Sequence, residues 1–163
     1  MPDIDDIFEE DEDTQKDKYL TFRIADEDYA IEIKYIIEII GIQNITRVPN
    51  VKSYIKGIIN LRGIIVPVVE VRKRFGLSLA EYDDRTCIIV VDVNNISIGL
   101  IVDEVAEVVT ISENERSPSP STNKGSHSRF IQAIGKVGDQ VKIILDIYKL
   151  LYEENAGIFE AIE

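Results

Sequence analysis

Residues 54–71 read YIKGIINLRGIIVPVVEV, two apolar runs separated by Arg62-Gly63. The β-branched isoleucines and valines favour pleated, half-buried strands, and a glycine between two such runs is typical of a hairpin turn. The stretch therefore predicts a β-hairpin with Arg62 at its tip. Pro67 has no N–H to donate to a ladder, so it places the return strand at a sheet edge or a bulge.

Further hairpins are predicted on both sides of this one. From Leu20 to Ile33, apolar residues alternate with polar ones around an acidic turn at residues 26–28, which is the period of a strand with one buried face. The run IIEII at residues 36–40 is left open between a short helix and a strand. Downstream, paired apolar runs predict two more hairpins, with strands over 86–93, 96–102, 130–137 and 141–147.

The two halves of the chain resemble each other. Shifted by 67 residues, the apolar positions of the hairpin that begins at Leu20 fall on those of the hairpin that begins near residue 86. A module of roughly 65–70 residues is too small to bury a robust core alone, whereas two modules packed together share one. We therefore predict a mainly β protein of two packed barrel subdomains with short helices, over roughly 19–82 and 83–152, and leave open an exchange of strands between them.

The charge of the chain is concentrated at its N-terminus. Of a net charge of -12 over 163 residues, residues 1–18 carry nine acids and two lysines, which sum to -7, and the remainder carries -5. We expect residues 1–18 to be an acidic disordered tail, residues 112–128, rich in Ser, Pro and Asn, to be a mobile surface loop, and residues 153–163 to fray. Nucleic acid is not an expected partner, because phosphate binding needs a dense basic surface.

Residue types that carry chemistry are scarce. His127 is the only histidine and lies in the Ser/Pro-rich segment, and Cys87, the only cysteine, lies within an apolar run. One of each cannot assemble a zinc site, and no phosphate-binding or dinucleotide motif occurs. The acids beside apolar runs share no linking pattern: Glu38, Glu70, Asp103 and Glu107. We therefore expect neither an enzyme nor a cofactor, and the lack of an apolar run of about 18 residues argues against membrane insertion.

Several motifs, taken together in order and spacing, resemble one family. The stretch from Arg47-Val48-Pro49-Asn50 through residues 54–71 looks like the signature of CheW-type domains, and further similar motifs lie at residues 20–22, 29–31, 99–105 and 143–146. The resemblance covers roughly residues 18–152. The kinase CheA and the protein CheV carry the same domain, but their additional domains do not fit in 163 residues, so we expect a complete, free-standing adaptor.

The resemblance implies a fold and a function. The fold would be two five-stranded SH3-like barrels that share a hydrophobic core. The function would be that of a cytoplasmic chemotaxis adaptor, monomeric when free, which binds the regulatory domain of the histidine kinase CheA and the cytoplasmic tip of a chemoreceptor without entering the membrane. The alternative is a generic β-barrel module that binds proteins or peptides outside chemotaxis.

The resemblance also suggests binding residues. Arg62 is the main candidate for receptor contact, because its planar guanidinium suits bidentate binding of a carboxylate; the alternative is an internal salt bridge to Glu38. At Gly57, a side chain would push the strand away from a neighbour or partner, or the glycine only permits a bulge. The full receptor-binding set is Arg62, Glu38, Leu20, Ile33, Ile36, Ile39 and Val105. The kinase-binding set is Ile42, Ile45, Val48 and Gly57.

Overall fold

A computed structural model of the chain describes residues 15–118 and 128–152. The predictions for the first fourteen residues of the tail, for residues 119–127 of the Ser/Pro-rich segment and for residues 153–163 lie outside the described residues. No helix in the part of the chain that is described is long and apolar enough to cross a membrane.

The described residues form eleven strands and two short α-helices. The strands are β1 (Lys18–Ile24), β2 (Glu27–Glu32), β3 (Ile36–Gly41), β4 (Ile55–Leu61), β5 (Ile64–Glu70), β6 (Cys87–Val93), β7 (Ile96–Val102), β8 (Glu104–Thr110), β9 (Arg116–Pro118), β10 (Ile131–Val137) and β11 (Gln140–Leu145). The helices are α1 (Val71–Arg74) and α2 (Ile147–Tyr152). Single 3-10 turns precede β3, β9 and β10.

The strands form two sheets, and each sheet takes strands from both halves of the chain. One has six strands in the order β8-β1-β2-β11-β10-β9, and the other has five in the order β3-β6-β7-β5-β4. Parallel pairings of β2 with β11 and of β5 with β7 join the halves. The mainly β, two-unit fold is thus confirmed, and β3 resolves the ambiguity at residues 36–40 in favour of a strand.

The sixth strand of the larger sheet lies within the segment predicted to be a mobile loop. The side chains of Ser112 and Glu115 cap the preceding 3-10 turn, and β9 then pairs with β10 through residues 133–135. Residues 112–118 are therefore ordered by a cap and a short ladder. The Ser and Pro content indicated a loop, but it did not reveal this pairing with a distant strand.

The main core lies where the two sheets meet, and each sheet also encloses a smaller cluster. Strand β6 contributes side chains to both the main core and one of the smaller clusters, because its successive side chains point to opposite faces of the sheet. Ile89 and Val91 enter the main core, whereas Ile88 and Val90 enter the cluster inside the five-stranded sheet. A strand buried on both faces reads as a continuous apolar run, as β6 does.

Tyr29 makes the main core sensitive to alkaline pH. The side chain is fully buried, and this burial raises its pKa to about 12. Since the unfolded chain ionises near pH 10, this tyrosine stabilises the fold fully below pH 10 and progressively less up to pH 12. We expect ionisation of Tyr29 in the unfolded chain to lower the free energy of unfolding by about 1 kcal/mol at pH 11. Urea unfolding followed by circular dichroism from pH 8 to 11 measures the loss.

The variant Tyr29→Phe is the control, because its ring stays in the core but cannot ionise. Its unfolding free energy should fall less steeply above pH 10 than that of the native chain. Identical pH profiles for the two proteins would contradict the role given to Tyr29.

Candidate functional site

The tip of the β4–β5 hairpin presents Arg62 to solvent. Arg62 and Gly63 have φ of 52° and 86°, and positive φ at both central residues is the geometry of a tight hairpin turn that follows the strand twist. The side chain of Asn60 supports the turn, since its Oδ1 accepts a hydrogen bond of 2.8 Å from the Gly63 N–H. The Arg62 side chain is 69% exposed, so its guanidinium is available to a partner.

Arg62 also forms an ion pair with Glu38. Both guanidinium Nη atoms donate to the carboxylate, one of them over 3.4 Å to Glu38 Oε2. The hydrogen bond and the charge of Glu38 raise the pKa of Arg62. The internal salt bridge considered from the sequence is therefore present. Because the pair is open to water, it contributes little to stability, and it holds the guanidinium in place beside the exposed tip.

Closure of the five-stranded sheet brings these two residues together. Glu38 is on β3 and Arg62 follows β4, and these strands are the two edges of the sheet. The β3–β4 connection folds back along β4, where Thr46 and Ile58 exchange backbone hydrogen bonds of 2.9 Å each. Ile45 packs on the cluster inside the sheet. The sheet thereby curls into a barrel whose edges meet at the Glu38–Arg62 pair.

Gly57 is placed by the same closure. It lies at a register shift between β4 and β5, and a Cβ built on it would be 2.2 Å from the Thr46 carbonyl oxygen. The residue is buried. The sequence suggested either a bulge or the close approach of a neighbouring strand at Gly57. The structure shows both, and both lie inside the barrel.

Identity follows from comparison of the chain with known families. A model of the CheW-like domain matches residues 18–155. The chain belongs to the CheW family. The match spans both sheets, the Glu38–Arg62 pair and the β4–β5 hairpin, so it confirms the resemblance read from the sequence motifs.

Individual CheW proteins are similar over most of their length. Chemotaxis protein CheW of Bacillus subtilis is 35% identical over 140 residues, which cover 86% of this chain and 90% of the relative. That of Klebsiella aerogenes is 32% identical over 143 residues, covering 88% and 86%. The crystal structure of scaffolding protein TtCheW from Thermoanaerobacter tengcongensis matches with a TM-score of 0.79 and 35% identity, covering 87% of this chain and 96% of that one.

The predicted receptor residues separate into buried and accessible groups in this CheW fold. Leu20, Ile33 and Ile36 are at most 6% exposed and belong to the main core, so they lie beneath any surface groove and do not line it. Ile39 and Val105 are half-buried and pack on the same core. Of the seven predicted residues, the surface is therefore formed by Ile39, Val105, Glu38 and Arg62.

The predicted kinase residues divide in the same way. Ile42 is 36% exposed and Val48 is half-buried, so both offer apolar surface. Ile45 faces mainly inward and Gly57 is buried. Ile42, Ile45 and Val48 lie on the β3–β4 connection, and Gly57 lies on β4, against which that connection folds.

Two exposed isoleucines lie beside Arg62 and were not among the predicted site residues. Ile64 and Ile65 are 60% and 58% exposed, although they begin a strand that is buried from Val66 to Glu70. The parallel neighbour β7 pairs with β5 only from Val68 onward, so the hairpin tip extends beyond its cover. The sequence feature that could have indicated their exposure is their position directly after the exposed turn at Arg62-Gly63.

Groups with reactive potential are either half-buried or already engaged. Burial raises the pKa of the Cys87 thiol, which disfavours the nucleophilic thiolate. Burial likewise raises the pKa of Glu70, whose carboxylate accepts a hydrogen bond from the Tyr82 hydroxyl. No group of three or more His, Cys, Asp or Glu that could hold a metal ion occurs within residues 15–118 and 128–152. His127 lies outside the described residues.

Proposed function

We propose that this CheW-family chain is a non-enzymatic, cytoplasmic chemotaxis adaptor, monomeric when free, that couples chemoreceptors to the histidine kinase CheA by binding both. The observation that carries the proposal is the family match over residues 18–155, supported by relatives named as chemotaxis and scaffolding proteins. Exposed apolar and charged side chains on the surface of a double barrel suit protein docking. Signalling then requires no covalent change, only different affinities for different receptor–kinase arrangements.

The proposed receptor surface centres on Arg62. Its exposed guanidinium can donate to a carboxylate or carbonyl on the receptor tip while the Glu38 side keeps it oriented, and such charge-assisted bonds are stronger than neutral ones. Ile39 and Val105 supply half-buried apolar surface above the main core. A helical hairpin, which is what the family resemblance implies for the receptor tip, docks by laying an apolar face against such a surface.

Charge reversal separates receptor contact from internal pairing. We expect Arg62→Glu to weaken binding of a receptor cytoplasmic fragment by about tenfold or more, since a charged hydrogen bond contributes about 1.5–3 kcal/mol. The exchange variant Arg62→Glu/Glu38→Arg restores an internal ion pair but leaves an acid at the hairpin tip, so its receptor affinity should stay low. Both affinities are measured by calorimetry or pull-down.

The matched control is Arg23→Glu. The Arg23 side chain is 51% exposed and, like that of Arg62, pairs with a carboxylate, through a 3.3 Å bond to Asp28 in the β1–β2 hairpin. Because Arg23 is not part of the proposed receptor surface, its reversal should leave receptor affinity unchanged. Native affinity in Arg62→Glu, or its full recovery in the exchange variant, would rule out direct receptor contact by Arg62.

The proposed kinase surface is the β3–β4 connection, through the exposed Ile42 and the half-buried Val48. Co-elution of the chain with a CheA regulatory domain on gel filtration, repeated with a receptor fragment, tests the adaptor function as a whole. A complex with each partner is the expected result. Elution of the chain alone in both mixtures would favour a binding module outside chemotaxis.

A further inference from the structure

A concave site in the five-stranded half carries positive charge. It has a volume of about 420 Å³ and lies between residues 47–53, β4 and α1. Four cationic side chains from three separate elements line it: Arg47, Lys52, Lys56 and Lys73. We refer to this site as the basic pocket.

The cations that line the basic pocket outnumber its described carboxylates by four to one. Among the described residues, none of its four cationic side chains has an ion pair. Lys56 lies over the ring of Tyr82 at 5.5 Å, which leaves its charge in place. Among the described residues of the lining, Glu70 is the only carboxylate. It is 3% exposed, is bonded to the Tyr82 hydroxyl and interacts electrostatically with Lys56. An excess of three positive charges in a chain of net charge -12 indicates an anionic ligand.

Apolar side chains in the lining indicate that the ligand is not a bare anion. Val48, Val51 and Ile55 form one part of the lining, and Leu79, which is 55% exposed, forms another. Inorganic phosphate would leave this apolar surface uncovered. A peptide that combines carboxylates with aliphatic or aromatic side chains would cover it and neutralise the cations.

The N-terminal leader of the same chain has this composition. Residues 3–13 read DIDDIFEEDED, with eight acids, no lysine or arginine, and three large apolar side chains at Ile4, Ile7 and Phe8. We propose that this leader binds the basic pocket of its own molecule, with its carboxylates against the four cations and its apolar side chains against Val48 and Leu79.

Chain geometry permits the contact. The tether is the chain between a bound side chain and Gln15, the first described residue. From Ile4 it can span up to roughly 36–40 Å and from Phe8 up to roughly 23–25 Å, whereas a domain of this size has a radius of gyration of about 14 Å. Tethering also gives the leader an effective concentration in the millimolar range, which favours it over a free peptide of equal affinity. Because Val48 belongs to the proposed kinase surface, the bound leader would compete with the kinase, a consequence that rests on the proposed function.

Nuclear magnetic resonance of the full-length chain tests the proposal without any partner. Amide chemical shifts are compared between the native chain and a variant whose leader is neutralised by replacing all eight of its acids, through Asp3→Asn, Asp5→Asn, Asp6→Asn, Glu9→Gln, Glu10→Gln, Asp11→Asn, Glu12→Gln and Asp13→Asn. We expect shift changes concentrated at residues 47–56, 73 and 79. Raising NaCl to about 0.5 M, where the screening length is roughly 4 Å, should produce similar changes in the native chain.

Charge reversal of the basic pocket provides the matched comparison. In Lys52→Glu/Lys73→Glu, neutralising the leader should no longer shift the pocket amides, whereas in Lys136→Glu/Lys149→Glu, which reverses two exposed lysines outside the pocket lining, the effect should persist. Unchanged pocket amides on leader neutralisation in the native background would overturn the proposal and leave the pocket to a separate anionic partner. Shift changes that grow with protein concentration would equally overturn it, since they indicate the leader of a second copy.

Discussion

Replacing Phe75 with alanine is expected to lower the free energy of unfolding by about 3–5 kcal/mol, the usual cost of truncating a buried phenylalanine. Phe75 is 0% exposed, and its ring centroid lies 5.2 Å from that of Tyr29 and 6.0 Å from that of Phe130. These three rings come from β2, from the residue after α1 and from the 3-10 turn before β10. The truncation therefore opens a cavity where the two halves of the chain meet. Urea unfolding at neutral pH measures the change.

Two further variants show whether the loss comes from core packing. Phe75→Leu keeps part of the volume and should cost less than the alanine variant. Val141→Ala removes aliphatic surface from β11 at a position that is 58% exposed, so its cost should stay within about 0.5 kcal/mol. A cost below about 1 kcal/mol for Phe75→Ala would mean that the aromatic cluster does not hold the two sheets together.

The turns were the most predictable part of the fold, because turn chemistry is local. Two residues between apolar runs predicted the hairpins at Arg62-Gly63 and Asn94-Asn95, and all four residues have positive φ. Asparagine and glycine tolerate that conformation, and the Asp92 side chain accepts a 3.0 Å hydrogen bond from the Asn95 N–H. The internal repeat then indicated that two similar halves pack together, and the family motifs indicated that they form SH3-like barrels; no single local pattern contains either feature.

Which apolar residues reach the surface was not predictable from their type. In a chain rich in isoleucine and valine, core and interface positions have the same composition. Leu20, Ile33 and Ile36 were assigned to a groove but are core, whereas Ile64 and Ile65 were placed in a strand with no sign of their exposure, and they are 60% and 58% exposed. Their exposure depends on which distant strand covers each segment, and parallel pairing of β5 with β7 is such a non-local feature.

Prediction of which charged side chains lie close together was limited for the same reason, since it too depends on non-local strand pairing. Glu38 and Arg62 lie on opposite edges of one sheet, so the sequence could offer their salt bridge only as an alternative. The basic pocket was not predicted at all, because its cations lie on a loop, a strand and a helix that only the closed barrel brings together. The fold determines which residues meet at the Glu38–Arg62 pair and in the basic pocket, whereas the sequence determines which charges those residues carry.

Closure of that barrel is expected to fail when Gly57 is replaced by alanine. The added Cβ would lie 2.2 Å from the Thr46 carbonyl oxygen and 2.8 Å from Ile45 Cγ2, and the φ of Gly57 is +157°. The nearest atom is the backbone carbonyl oxygen of Thr46, which the Thr46–Ile58 hydrogen bonds hold in place. The clash therefore cannot be relieved by rotation of a side chain. We expect a loss of roughly 3 kcal/mol, at the upper end of overpacking costs, measured by urea unfolding.

The matched control is Gly41→Ala, at a glycine whose Cβ would meet nothing within 4 Å and whose φ is not positive, and it should be nearly neutral. Because Ile42 and Val48 lie on the connection that Gly57 supports, Gly57→Ala should also weaken co-elution with the kinase domain. If instead Gly57→Ala keeps its full unfolding free energy and still loses the kinase, the glycine contacts the kinase directly. Loss of both properties together indicates that this position acts through the β3–β4 connection, which it allows to close against β4.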